Sequence, residues 1–210
     1  VFLGPPGAGK GTQGPRLAGY FQILHIATGD MLRRAVEQGS EVGLRVKVLM
    51  EHGELVPDIL TNELVRVEIS RAEAGKGFVL DGYPRNQPQA EALTIALDEM
   101  GACLDGVLRF MVKGDELVAR LSGRRICPAC KAVYQVQTRP PKTPGICDKD
   151  SVALVQRDDD KPDSILRRLE VYGQKTKPLF DFYQELGLLK DIDAMGTTDE
   201  VFERILAAVK

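Results

Sequence analysis

The sequence predicts an α/β fold, a parallel sheet flanked by helices, with a small module set into it that lacks a core of its own. Three observations carry this reading. An apolar triplet, Val1-Phe2-Leu3, runs straight into Gly4-Pro5-Pro6-Gly7-Ala8-Gly9-Lys10-Gly11-Thr12; strand-like runs alternate with helix-like ones along most of the chain; and between Arg124 and Asp160, prolines and three of the four cysteines replace that alternation. Strands alternating with helices argue a parallel sheet with right-handed crossovers. At 210 residues the chain has room for one good core and a small insert.

Taken in order, the first strand feeds a phosphate-binding loop. Glycines at 4, 7, 9 and 11 leave no Cβ in the way of inward-turned backbone N–H groups, and Lys10 adds a mobile positive charge. A helix over 12–20 aims the partial positive charge of its N-terminus at the same place. The general motif has Ser or Thr directly after the lysine; here Gly11 intervenes and Thr12 carries the hydroxyl, so direct Mg2+ ligation by it does not follow from the motif alone. Ile23-Leu24-His25-Ile26 reads as a strand, stopped by Ala27-Thr28-Gly29-Asp30 ahead of a helix from Met31. Thr28 and Asp30 have two readings, a helix cap or a site contact. A helix over 43–50, an irregular link at Glu54-Leu55-Val56, and a helix over 58–73 follow. Leu60, Leu64, Val67 and Ile69 are the expected inward positions of the last, and Gly75-Lys76-Gly77 ends it.

Phe78-Val79-Leu80 is the next strand, and Asp81-Gly82-Tyr83-Pro84-Arg85 sits at its carboxyl end. Ligands of open parallel sheets bind outside the carboxyl ends of strands, which puts Asp81 and Arg85 where the phosphate loop opens. A helix over 88–100, a strand over 107–112 and a helix over 115–121 continue the alternation. Beyond the module come one long helix over 161–185, a strand over 188–192 and a closing helix over 199–209.

Within the module, Cys127, Cys130, Cys147 and Asp150 form the pattern C-x2-C-x16-C-x2-D. Two short chelating loops at that interval predict a tetrahedral structural zinc site with no open position for catalysis. A redox C-x-x-C pair or unconnected thiols are the rival readings, and neither explains Cys147 and Asp150 at the mirrored spacing. Cys103 reads as a small buried apolar residue. Hydrophobic residues at 43%, charged residues at 28% and a net charge of -2 describe an ordinary globular protein without the basic surplus of a nucleic-acid binder. No apolar run approaches the roughly 20 residues needed to cross a bilayer, and no basic-then-apolar leader opens the chain, so a cytoplasmic location is expected. Because Val1 already lies in the first strand, a starting Met and a few residues are expected ahead of it.

Taken together, these segments resemble the adenylate kinases of the long-lid bacterial type, with a zinc-containing lid. The carriers are Gly4 to Thr12, Thr28-Gly29-Asp30-Met31-Leu32-Arg33, Asp81 to Arg85 with Gln89, Gly123-Arg124-Arg125, the cysteine cluster, Arg157-Asp158-Asp159 and Arg167-Arg168-Leu169, so that essentially the whole chain is covered. In that family Gly11 before Thr12 is the usual form. The resemblance implies a P-loop core at 1–26, 57–122 and 161–210, a helical insert for the nucleoside monophosphate (NMP) at 27–56 and a zinc-stapled, β-rich ATP lid at 123–160. It implies reversible phosphoryl transfer from MgATP to AMP, giving two ADP and maintaining adenine nucleotide balance. Catalytic roles fall to Lys10, Arg85, Arg124, Arg157 and Arg168. ATP would meet Gly7, Ala8, Gly9, Lys10, Gly11, Thr12, Arg120, Arg124, Val133, Tyr134 and Gly196; AMP would meet Thr28, Arg33, Leu55, Val56, Gly82, Arg85, Gln89, Arg157 and Arg168. Asp81 would orient Mg2+ through water, and Cys127, Cys130, Cys147 and Asp150 would hold Zn2+. Asp158 and Asp159 have two readings, hinge contacts that orient arginines or, with Asp160, a solvated acidic run. Partners would be ATP, AMP and ADP, with no nucleic acid or membrane, and the protein a monomer. The alternatives are a kinase for CMP, UMP or GMP, and a zinc-ribbon nucleic-acid-binding protein that uses the loop as a switch. Two departures from the family pattern, Arg109 in a strand and Gly14-Pro15 near the start of the first helix, are expected to lie outside the chemistry.

Overall fold

The computed structural model describes residues 1–39, 41–72 and 76–209. Its strands are β1 (Phe2–Leu3), β2 (Leu24–Ala27), β3 (Phe78–Asp81), β4 (Val107–Met111), β5 (Arg124–Ile126), β6 (Val133–Gln135) and β7 (Leu189–Asp193). Five of them form one sheet in the order β2-β3-β1-β4-β7, every pairing parallel, with Ile26 opposite Leu80, Phe2 opposite Leu108 and Phe110 opposite Ile192. The helices are α1 (Lys10–Phe21), α2 (Thr28–Glu37), α3 (Glu41–Glu51), α4 (Asp58–Ser70), α5 (Gln87–Glu99), α6 (Gly114–Ser122), α7 (Pro162–Val171), α8 (Leu179–Glu185) and α9 (Thr198–Val209).

A parallel sheet buries both faces, which is why its strands read as apolar runs with no polar alternation. Phe2, Val79, Leu108, Phe110 and Ile192 point to the layer of α1 and α9, where Leu17, Val201, Ile205 and Leu206 meet them. Their strand neighbours point the other way: Ile26 and Leu80 pack on Val65, Ile69, Leu93 and Leu97 of α4 and α5, and Leu3 and Val107 pack on Leu179 and Tyr183 of α8. Fully burying side chains of this size is worth about 1.5–3 kcal/mol each before the entropy of ordering them.

Three sequence expectations are corrected here. Val67 is exposed, because the core stripe of α4 runs through Thr61, Val65 and Ile69, while Leu60 and Leu64 are partly buried against a separate cluster of Leu32, Val46 and Val56. This helix ends at Ser70 with Arg71 as its C-cap, short of the expected Glu73, which with Gly75 lies outside the described residues. Cys103 is exposed, in the surface turn between α5 and β4. The single long helix over 161–185 is broken. Pro178 lacks an N–H and its ring clashes with the carbonyl four residues back; α7 stops at Val171, a π-helical turn spans Tyr172–Thr176, closed by the Lys177 N–H on the Tyr172 carbonyl at 3.0 Å, and α8 starts afresh at Leu179.

The module between α6 and α7 is a two-stranded antiparallel hairpin of β5 and β6 with isolated bridges Ile126 to Val155 and Ile146 to Ala153. Its buried cluster is Cys127, Tyr134 and Cys147, backed by Ala132 and Leu154. Such a core is too small to hold a hairpin in place on apolar burial alone. No helix among the described residues is long and apolar enough to cross a membrane.

Candidate active site and metal cluster

At the carboxyl ends of β1 and β3 the chain opens a cleft of about 980 Å³. Positive φ angles at Gly4, Gly7 and Gly9 bend the loop after β1 round on itself; a Cβ at Gly4 would come within 2.9 Å of Phe110. Lys10 opens α1 and folds its Nζ back to donate to the carbonyls of Gly4 (2.6 Å) and Pro5 (2.9 Å). A Cβ at Gly11 would sit 3.4 Å from the Asp81 carboxylate, in ordinary contact with it.

The groups facing this cleft are charged and buried. Burial pushes the Lys10 ammonium down to about 8, Asp81 pulling the other way and Arg85, Arg168 and Arg124 adding to the fall. Burial also raises Asp81, against the pull of Lys10. The Arg85 guanidinium is lowered to about 10 by burial and then by Arg168, and Arg157 to about 10 by burial and then by Arg33 and Arg124. Cations held this close in low dielectric are mutually unfavourable until an anion joins them.

Acidic side chains aim these cations. Arg124 lays Nε and Nη2 on the two oxygens of Asp160 at 2.7 and 2.5 Å, and Arg168 reaches Asp160 at 3.0 Å and Asp159 at 3.1 Å. Asp160 is 0% exposed, so the solvated-run reading fails for it: a carboxylate buried in this way must be paired. Burial alone would raise Asp159, but Arg168, Arg124, Arg33 and Arg157 hold it below the ordinary carboxylate range. Asp158 pairs with Lys161 at the surface. Arg120 lies against Glu116 and donates to the Ala194 carbonyl, beside Gly196 at φ 98.

On the other side of the cleft, neither Thr28 nor Asp30 caps a helix, which corrects the capping reading. Ala27 is the cap position of α2, and the Thr28 hydroxyl donates to the Gly82 carbonyl at 2.9 Å, while Asp30 accepts from Arg33 at 2.5 Å with Arg157 4.0 Å away. Arg85 Nε donates to the Gly82 carbonyl at 2.8 Å, and Thr176, in the π-helical turn, donates to the Arg85 carbonyl at 2.8 Å. Gln89 is almost fully buried, its Oε1 accepting from the Arg85 N–H at 2.8 Å and its Nε2 donating to Asp58 at 2.7 Å. The 53–56 stretch rests on α7: a Cβ at Gly53 would meet the Ser164 carbonyl at 2.8 Å, and the Ser164 hydroxyl donates to the Glu51 carbonyl at 2.6 Å.

This one cleft is lined by every nucleotide-contacting or Mg2+-orienting residue expected from the sequence, from Gly7 through Thr12, Thr28, Arg33, Leu55, Val56, Asp81, Gly82, Arg85 and Gln89 to Arg120, Arg124, Val133, Tyr134, Arg157, Arg168 and Gly196. Tyr134 also belongs to the module's own core, where its hydroxyl lies 3.5 Å from Cys147 Sγ and accepts from the Asp148 N–H. Sequence reasoning missed His25, which lines the cleft with its Nε2 buried and, among the described residues, unpartnered. Gly14 was the available signal, since a Cβ there would lie 2.4 Å from that nitrogen. Lys131 was missed too: from the module it reaches Glu37 of α2 at 2.6 Å, spanning the mouth of the cleft. Arg109 is accounted for outside the cleft, donating through Nε to Asp191 on the neighbouring strand at 2.6 Å and stacking on Phe180.

Away from the cleft, the ligand atoms of Cys127, Cys130, Cys147 and Asp150 all lie within 4.8 Å of one another. Cys130 Sγ and Cys147 Sγ are 3.7 Å apart, far beyond a disulfide and close to the edge of a tetrahedron with metal–sulfur bonds of about 2.3 Å. The N–H of Lys149 points at Cys147 Sγ at 3.4 Å, the kind of outer contact that orients a thiolate ligand. The four residues can therefore hold a metal ion.

Comparison with known proteins shows the family of the chain. The sequence model of the family described as adenylate kinase matches residues 2–188. The chain is 48% identical over 209 residues to the adenylate kinase of Caldanaerobacter subterraneus subsp. tengcongensis, spanning all of this chain and 95% of that protein. It is 48% identical over 207 residues to the adenylate kinase of Syntrophobacter fumaroxidans, spanning 99% and 97% of the two, and 48% identical over 210 residues to that of Thermodesulfovibrio yellowstonii, spanning 100% and 98%. The chain belongs to the adenylate kinase family.

Proposed function

We propose that the chain catalyses reversible phosphoryl transfer from ATP, carried as its magnesium complex, to AMP, giving two ADP. The observation that carries the assignment of roles is the crowding of Lys10, Arg85, Arg124, Arg157 and Arg168 around one buried cleft. The acceptor phosphate is already an anion, so no base is needed to make the nucleophile, and rate enhancement comes from positioning and charge stabilisation. Lys10 and the loop from Gly7 to Thr12 cradle the phosphates of ATP, with Arg120, Val133, Tyr134 and Gly196 about its nucleoside. Arg33 and Arg85 hold the AMP phosphate; Thr28, Leu55, Val56, Gly82 and Gln89 enclose the rest of AMP. Arg124, Arg157 and Arg168 close on the group in transfer, their planar forks each gripping two phosphate oxygens. Asp81, a buried carboxylate on the cleft, is the donor type that would orient Mg2+ through its water shell, and the ion would supply charge to offset that of the phosphates.

Residues 123–160 act as a lid and 27–56 as the AMP-binding insert, closing on the core to exclude water as a competing acceptor. Three thiolates and a carboxylate suit Zn2+, and the set leaves no position open, so the metal staples the lid and takes no part in the reaction. The protein acts as a monomer in the cytoplasm, where its thiols stay reduced. A coupled assay of ADP formation with AMP, GMP, CMP and UMP at fixed MgATP tests the assignment. The fastest initial rate is expected with AMP; a faster rate with another acceptor would move the chain to that base.

A further inference from the structure

Asp58 stands outside the cleft, at the start of α4, yet it is wired to a residue that lines it. Its Oδ1 accepts from Gln89 Nε2 at 2.7 Å, and its two oxygens accept from Asn86 Nδ2 at 2.9 and 3.1 Å. Asn86 in turn caps α5, its Oδ1 accepting from the Gln89 N–H at 2.9 Å. The remaining end of the Gln89 amide, Oε1, accepts from the Arg85 N–H at 2.8 Å.

This wiring decides which way round the carboxamide sits. A carboxylate offers only lone pairs and a backbone N–H offers only a proton, so turning the amide over would set donor against donor at Arg85 and acceptor against acceptor at Asp58. The oxygen and nitrogen ends of Gln89 are thereby locked in place, each with one further hydrogen-bonding position unused by these two partners. Adenine carries an N6 amino donor where guanine and hypoxanthine carry an O6 acceptor. A free amide can rotate to suit either; a locked one cannot. We infer that Asp58 is a positioning residue that enforces the choice of a 6-amino over a 6-oxo purine at the AMP site by holding the Gln89 carboxamide in one orientation. The inference rests on the reading above that Gln89 meets the AMP base.

The test measures kcat and KM with AMP and with IMP, at saturating MgATP, for the native chain and for Asp58→Ala, Asp58→Asn and Gln89→Ala, alongside melting temperature. Asp58→Ala is expected to raise the IMP-to-AMP ratio of kcat/KM by about tenfold, with KM for AMP rising several-fold and both kcat at saturating AMP and KM for MgATP nearly unchanged. Asp58→Asn, which keeps the size of the side chain but can donate as well as accept, should move the ratio the same way and less far. A role confined to anchoring α4 and α5 would lower the melting temperature and leave the ratio alone. If Asp58→Ala does not fold, Asp58→Asn decides. Should Gln89→Ala leave KM for AMP unmoved, the reading of Gln89 itself fails. Should Gln89→Ala raise it while the Asp58 variants that fold keep the native ratio, the positioning inference is overturned and the reading of Gln89 stands.

Discussion

The sheet core and the module at 123–160 are held together by different physics. In the core, side chains from five strands meet helices on two faces, and residues such as Leu80, Val107 and Ile205 are entirely buried. In the module the buried cluster is two cysteines and a tyrosine with two apolar neighbours, and its strands are three residues long. Apolar burial holds the core; the module has instead four potential ligand atoms converging on one point. On the function proposed above, a metal held there would fix the module internally without tying it to the sheet, so that the module could move as one body. Polar contacts tie the module to its surroundings: Arg168 of α7 on Asp160 at the expected hinge, Gln135 and Gln156 on the carbonyls of Ala119 and Ser122, and Lys131 on Glu37 of α2 across the mouth.

The largest effect should come from the core side. Lys10→Met removes the loop's cation and is expected to lower kcat on the order of a thousandfold with the fold intact, measured by steady-state rates beside circular dichroism. Near-normal turnover would shift the chemistry onto the arginines closing from the module. The same residue gives a pH signature. Lys10 is depressed to about 8 in the folded chain, while in the unfolded chain it returns to about 10.4, so between those values the unfolded state binds more protons and this group's contribution to stability rises with pH. Lys10→Met should flatten that rise in denaturant midpoints taken from pH 8 to 10.5.

At the hinge, Asp160→Ala leaves Arg124 and Arg168 without their shared carboxylate. Breaking a buried pair from one side costs about 3–5 kcal/mol, and here part of that should appear as a lower unfolding midpoint and part as weaker closure, read as a raised KM for ATP. Asp160→Asn, which keeps the shape and loses the charge, should fall between. If both variants match the native chain, the hinge does not couple the two regions as their geometry implies.

Removing the metal separates the regions most directly. Chelation, or Cys147→Ser, is expected to loosen residues 123–160 while the sheet stays folded, seen as faster amide exchange confined to the module and a melting temperature lower by several degrees. Protection lost evenly across core and module would mean that the staple supports the whole molecule.

How much of this was legible in the sequence follows the same division. Local chemistry was readable wherever one motif contains its own reason: glycines and a lysine behind a strand, or four ligands at mirrored spacing. Asp160 was not, because an acidic run looks solvated until the fold brings Arg124 from 36 residues away onto it. The helix over 161–185 looked continuous because its apolar period survives the break; Pro178 was the available signal, whereas the π-helical turn that puts Thr176 on the Arg85 carbonyl shows only in backbone hydrogen bonds. Val67 was misplaced because α4 faces two clusters at once, and a single inward stripe is the wrong template for a helix that bridges core and insert. His25 had a faint signal in Gly14, a glycine inside a helix with no turn to make.

The smallest expected effect lies at the mouth of the cleft. Lys131 and Glu37 are each about half exposed, 55% and 54%, and a solvent-screened pair of this kind contributes about 0.2–1 kcal/mol. Because it joins the module to α2, that energy acts on closure and leaves the fold of either region alone. Lys131→Met and Glu37→Gln should each raise KM for AMP by less than about fivefold, the double variant should do no more than either single one, and the difference should fade as salt is raised. Lys131 also sits at φ 60, a left-handed backbone that costs a non-glycine residue about 1 kcal/mol. Lys131→Gly should therefore raise the module's resistance to local opening while weakening closure as much as Lys131→Met does. If exchange in the module instead became faster as KM for AMP rose in that variant, the stability of the module and its contact with the insert would be one property, and the separation of the two regions would fail.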